Sequence, residues 1–184
     1  MTVRLKIRPC KRIMDALKAI YTRRSIRKYM DDPVDDGLVH EVICAAMMAP
    51  SAGNSQPWQF VIVRDRQKLE AIGTGNLYAS LAGKAPVAIL VCGEPEKEKH
   101  EGFWIQDCAA ATQNMLLAAH SLGLGAVWLG IYPREERVKS MRSLFGIPDK
   151  IMPFALVTLG YADEEKPKEN RFDLNRVHYE KWLD

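Results

Sequence analysis

Little in this chain could build a metal centre, a disulfide framework or a hydrolase. Of its 184 residues four are cysteine and four are histidine. Cys10, Cys44, Cys92 and Cys108 form no C-x-x-C pair, and no H-E-x-x-H or Cys/His cluster at ligand spacing occurs, which argues against zinc. Three of the cysteines sit inside apolar segments, where the thiol acts as a small hydrophobe. That favours a reducing compartment, and the expected location is cytoplasmic. The N-terminus is basic and lacks the apolar centre of a signal peptide. No uncharged apolar run is long enough to span a bilayer. There is no G-x-S-x-G elbow and no Walker loop. Gly73-Thr74-Gly75 and the pair Gly123 and Gly125 both lack the third glycine of the dinucleotide fingerprint, and Trp128 holds that place in the second. No paired carboxylates mark a cleft. A net charge of +3 gives no case for a nucleic-acid or membrane surface, but it is compatible with a local anion site. A chain with no obvious nucleophile or general base suits an enzyme whose reactive group is a bound cofactor.

What is present reads as one domain over residues 1–184, with 47% apolar and 27% charged residues. Residues 1–11 are expected to be a flexible leader. Ile13, Ala16, Leu17 and Ile20 predict a helix over 12–22, and Leu38, Val42, Ala45, Ala46 and Ala49 predict another whose N-cap is Asp35. Strands are predicted at 58–63, 85–92, 124–129 and 154–161. Further helices are predicted at 66–72, 107–122 and 134–145. The helix over 107–122 has almost no polar face; its exceptions, Gln113, Asn114 and His120, are expected to be satisfied by backbone and carry no chemistry. Residues 94–101 read as a charged, exposed connection. The tail, 162–184, is polar with two late aromatics, Tyr179 and Trp182. It either frays or lies on a second subunit.

Two stretches carry chemistry. Arg23-Arg24-Ser25-Ile26-Arg27-Lys28-Tyr29 follows the first helix. One or two of its cations fit the helix dipole, but the cluster also fits an anion site of Arg forks and a Ser hydroxyl. Ala49-Pro50-Ser51-Ala52-Gly53-Asn54-Ser55-Gln56-Pro57-Trp58 joins a helix to a strand. Composition alone favours a plain connection there. The alternative is an ordered loop of hydroxyls, amides and free backbone groups able to bond a polar heterocycle or a polyol.

These two stretches, the helix over 107–125 with Ala126-Val127-Trp128-Leu129-Gly130, and the ending Leu159-Gly160-Tyr161 … Asn170-Arg171 occur in one order. Together they resemble the FMN-dependent nitroreductase superfamily in its short single-domain form. The resemblance implies an α+β fold, a three-layer α/β/α sandwich around a mixed central sheet. It also implies an intertwined homodimer with tightly bound, non-covalent FMN at the interface and the tail reaching to the partner. Arg23 and Arg171 would hold the FMN phosphate, with Ser25 beside it and Arg24 assisting. Arg27 would lie against the pyrimidine end of the isoalloxazine. Pro50, Ser51, Ala52 and Asn54 would come from the other subunit, and the Gly130 N–H would sit near flavin N5. The implied activity takes hydride from NAD(P)H onto N5 and passes it to nitroaromatics, quinones or similar small acceptors in a ping-pong cycle. The flavin carries the chemistry, so no side chain is assigned as catalytic, and neither nucleic acid nor membrane is an expected partner. A guanidinium beside the pyrimidine would stabilise charge arriving there. The alternatives are a specialised flavin enzyme of the same fold, such as a reductive dehalogenase or enoate-type reductase, and a non-enzymatic flavin-binding or redox-sensing protein. Three places depart from the family pattern. Asn76 is the stand-in for missing flavin contacts, Lys168 for a basic residue displaced by Glu169, and residues 94–103 make only a short lid.

Overall fold

The computed structural model describes residues 14–74 and 81–182. The expected leader, 1–11, Cys10 and Asn76 lie outside these residues. Strands β1 (Trp58–Val63), β2 (Val87–Gly93), β3 (Gly125–Gly130) and β4 (Met152–Gly160) form one sheet in the order β1-β2-β4-β3. All three strand pairs are antiparallel. The mixed character expected of the sheet is confined to a single parallel bridge from Ser25 to Ala126 on the outer edge of β3. A long connection returns each strand beside an antiparallel neighbour, and parallel pairing arises only where the chain after the first helix runs along the open edge.

Alternation along the central strands splits the core in two. Val87, Ile89 and Val91 of β2 and Val157 and Leu159 of β4 face α2 (Asp36–Met47) and α4 (Trp104–Ser121). Ala88, Leu90 and Leu156 face α3 (Arg66–Thr74) and α5 (Glu135–Phe145). The result is the three-layer α/β/α arrangement. All seven residues of β2 are buried, as a strand covered on both faces requires. Asp35 caps α2 by accepting from the Gly37 N–H at 2.7 Å, and α5 ends on Gly146, whose φ of 64° is the left-handed cap that glycine allows. Among the described residues no helix is long and apolar enough to cross a membrane.

Two apolar stretches of sequence are less buried than their neighbours suggest. The first helix, α1 (Ala16–Thr22), buries only Ala19, while Leu17 is 60% and Ile20 52% exposed. The apolar residues that predicted the helix, Leu17 and Ile20, thus face outward from this chain. Cys92 and Cys108 are buried small hydrophobes, and burial pushes both thiols up to about 12. Cys44 is exposed on α2, 3.5 Å from His40 Nδ1, because helical spacing turns it away from the Val42–Ala46 stripe.

The contact between β2 and α4 is tight enough to demand glycine at the strand end. A Cβ on Gly93 would lie 2.3 Å from Trp104 Cε3. Gly93→Ala should therefore destabilise the fold by about 1–3 kcal/mol through overpacking. Urea unfolding checks this, and an unchanged midpoint would mean that Trp104 is free to shift.

Candidate functional site

The basic turn is built on the open edge of β3. The Arg23 N–H closes α1 on the Ala19 carbonyl at 3.0 Å, and the chain then extends. The Ile26 N–H donates to the Ala126 carbonyl at 3.0 Å. Gly125 makes room for this approach, since a Cβ there would come 2.7 Å from Ile26 Cγ2. The Tyr29 hydroxyl lies 2.7 Å from both the Ile26 carbonyl and Thr158 Oγ1. Burial pushes this phenol up to about 12, so it stays protonated and can donate.

Held this way, the arginines are left with unused donors. Arg24 donates from Nε to the Pro167 carbonyl at 2.9 Å and from Nη1 to the Arg23 carbonyl at 2.7 Å. Its Nη2 is buried with no partner, and so is Arg23 Nη1. Burial, then Arg171, then Arg24 lower the Arg23 pKa from its ordinary value. Arg171, on the tail, thus acts on the same spot; its Nε is 2.6 Å from Glu169 Oε2. Buried cationic donors without acceptors, among three guanidiniums, have the chemistry that would suit a multiply charged anion.

His120 joins this cluster and was missed. Asn114 behaves as expected, donating to the Ala45 carbonyl at 3.1 Å. His120 Nε2 instead lies 2.8 Å from Thr22 Oγ1. Burial, Arg23 and Arg24 lower its pKa from the ordinary value. The pairing joins residues 98 positions apart, so no local periodicity could have revealed it.

Further along the same edge is a cavity of about 860 Å³ lined by Arg27, Trp128, Gly130, Ile131, Arg134 and Arg137 among others. Strand register decides what Gly130 offers it. The Ile131 N–H donates across to the Phe154 carbonyl on β4, while the Ala126 carbonyl accepts from the outer side. Residues 126, 128 and 130 therefore turn their backbone groups to the open edge. Arg137 Nη1 holds the Gly130 carbonyl at 2.7 Å, and the Gly130 N–H faces outward from the sheet. One strand edge thus carries the arginine turn near Ala126 and a cation-flanked cavity at Gly130, roughly 14 Å apart.

Pro50, Ser51, Ala52 and Asn54 are not brought to these arginines. Their loop precedes β1, and β1 and β3 are opposite edges of the sheet, three strand spacings or roughly 14 Å apart. The loop is nonetheless ordered by many bonds. Asp107, 4% exposed, accepts the Ala52 N–H at 3.0 Å; its other oxygen is buried without a partner. Ser51 Oγ accepts the Gln56 N–H at 3.0 Å, and Lys99 Nζ donates to the Gly53 carbonyl at 2.6 Å. These bonds hold Gly53, Asn54 and Gln56 at φ of 59°, 55° and 48°. Residues 94–101, expected to be a charged, exposed connection, are mostly exposed; Lys99 bonds this loop, and Glu94 is only 9% exposed.

A family profile described as Nitroreductase family matches residues 20–74 and 72–161. The chain belongs to that family. It is 52% identical over 169 residues to a Methanothermobacter thermautotrophicus protein with the provisional name NADH dehydrogenase/NAD(P)H nitroreductase, covering 92% of this chain and 88% of that one. An FMN-dependent nitroreductase from Clostridium difficile superimposes with a TM-score of 0.84 at 30% identity, covering 90% of this chain and 99% of that one. A provisional nitroreductase from Desulfovibrio desulfuricans, solved in complex with FMN, gives 0.79 at 33% identity and coverages of 91% and 98%.

Within this family frame the position of Arg27 depends on one carboxylate. Glu164 Oε1 accepts the Arg27 N–H at 2.6 Å and the Lys28 N–H at 3.3 Å, and Glu164 Oε2 is 2.8 Å from Lys166 Nζ. Lys166 first, then the Arg27 N–H, hold the Glu164 carboxyl below its ordinary value. A depressed carboxylate adds stability above its unfolded value, near 4.5, and that stability is lost as pH falls through the folded value. Glu164→Gln keeps an acceptor oxygen but not the titration. Wild type should be the more stable protein at about pH 6 and lose that advantage progressively as pH falls below about 4.5. Denaturant titrations of both proteins across this range check it, and parallel curves would remove Glu164 as the latch.

Proposed function

We propose that this chain is an FMN-dependent oxidoreductase that draws electrons from NAD(P)H and works as a homodimer. The observation that carries the reading is the pair of buried, unpartnered guanidinium nitrogens of Arg23 and Arg24 at one end of an edge whose other end is the Arg27–Gly130 cavity. A phosphate monoester would supply the acceptors that these donors lack. Bound FMN would supply hydride and electron transfer, receiving two electrons from NAD(P)H and delivering them to a nitroaromatic, quinone or similar small acceptor in a ping-pong cycle. Arg23, Arg24 and Arg171 would hold the phosphate, with Ser25 beside them. Arg27 would stabilise negative charge on the pyrimidine side, as a preorganised cation should. The outward N–H of Gly130 would donate to the flavin edge.

The loop of Pro50, Ser51, Ala52 and Asn54 completes the site only if it comes from a second copy, since its own arginines lie at the opposite sheet edge. The apolar surface left bare supports this. Tyr21 on α1 is 70% exposed, and on the tail Phe172, Tyr179 and Trp182 are each about 75% exposed. Apolar area of this size beside a ligand site is covered in an assembly. Buried free thiols fit a cytoplasmic setting.

Visible absorption of the purified protein, followed anaerobically as NADH and then NADPH are added, tests the reading. A flavin band that bleaches rapidly is expected, and the faster donor is the physiological one. A band that persists with both would favour a binding or sensing role. No band after FMN is supplied would refute the cofactor. Arg23→Ala should weaken FMN binding roughly ten- to a hundredfold, the range for losing a charge-assisted bond; equilibrium dialysis reads this, and unchanged affinity would take Arg23 out of the site.

A further inference from the structure

His120 is the one titratable group in the anion cluster that can change charge near neutral pH, and its hydrogen bond fixes where its proton goes. The Thr22 hydroxyl has a single proton. It lies 2.6 Å from the Lys18 carbonyl, which can only accept, so Thr22 donates there. Thr22 Oγ1 must then accept from His120 Nε2–H at 2.8 Å. Neutral His120 therefore keeps its proton on Nε2, and Nδ1 is the nitrogen that gains one. The same bond ties the last residue of α1 to the last turn of α4, immediately before Arg23 and Arg24.

We propose that His120 is the proton-linked positioning residue of the anion site: it is neutral while Arg23 and Arg24 stand without an anion, and takes up a proton from solvent when a phosphate monoester binds them. The inference rests on the FMN reading above and adds a pH dependence to it. The charged groups acting on His120 are the guanidiniums of Arg23 and Arg24. One step further out, Arg171 acts on Arg23, and Glu169 is influenced by Arg171 and Arg24. Two nearby cations and burial oppose protonation of the ring, in agreement with its lowered pKa. A dianion between the arginines offsets both charges and removes most of that opposition. By linkage, a ligand that favours the protonated ring is bound more tightly as pH falls, about tenfold for each unit by which binding raises the ring's pKa.

The FMN phosphate itself gains a proton near pH 6, which weakens binding in the opposite sense, so the wild type must be read against His120→Gln. The glutamine amide can still donate to Thr22 but does not titrate. FMN dissociation constants of the two proteins should nearly coincide at about pH 8.5 and diverge as pH falls, the variant binding roughly three- to tenfold more weakly by about pH 6. Riboflavin, which has no phosphate, should show no such divergence. A ratio constant across pH would reduce His120 to a structural support and overturn the proposal while leaving the FMN reading intact. Failure of the wild type to bind FMN at all would overturn both. The His120 ring resonance, titrated by NMR in wild type with and without FMN, gives the same answer without a variant: the pKa should rise on binding, and an unmoved pKa refutes the linkage.

Discussion

Two guanidinium nitrogens sit buried with nothing to donate to, and the surrounding fold is arranged so that they stay there. A charged donor removed from water without a partner is costly, and a flexible segment would relieve it by turning outward. This segment cannot. Its backbone is bonded to Ala126 on one side and latched by Glu164 on the other, and Tyr29 pins it to Thr158 beneath. Glycines at 125 and 160 allow these approaches, since a Cβ on either would come within 2.7 Å of Ile26 or Tyr29. On the reading proposed above, this anchoring would keep cationic donors in place before an anion arrives. That is the condition for tight binding without reorganisation.

The order β1-β2-β4-β3 then sets a second constraint. It puts the arginine edge and the 50–54 loop at opposite edges of one sheet; on the reading proposed above, each chain would then present two half-sites. A two-fold pair can join the arginine half of one copy to the loop half of the other, twice, which is the isologous contact that closes a dimer. Leu17, Ile20 and Tyr21 lie just before Arg23 and are exposed. Covering them would also exclude water from the anion site and strengthen its electrostatics. Cofactor binding and assembly are thus expected to support one another.

Much of this was readable from residues alone. Periodicity located the α-helices and strands among the described residues to within a few positions, because all but α1 have a clear buried face. The arginine turn was legible because its charge density exceeds what a helix end needs. At Leu17 and Ile20 the helical spacing gave the helix but not what covers its apolar residues, which are exposed on this chain. His120 was illegible for a different reason. Its role comes from α1 lying against the end of α4, a contact between distant residues that leaves no local pattern. Cys44 shows the limit of composition, since an apolar neighbourhood in sequence did not place it on the apolar face.

The strained loop bears on the dimer proposed above. A left-handed φ is tolerated by glycine and, less readily, by asparagine, but for Gln56 at 48° it costs on the order of 1 kcal/mol or more. A connection serving only to join α2 to β1 has no need of this. Here Asp107, Ser51, Ser55 and Lys99 hold the shape by bonds to the loop's own backbone. Asp107 does so while leaving one buried oxygen unpaired. Strain and desolvation are thus accepted to fix a surface that contacts none of this chain's own arginines. Such stiffness would lower the entropy lost when the loop meets a ligand, which is the use that the dimer proposed above would make of it.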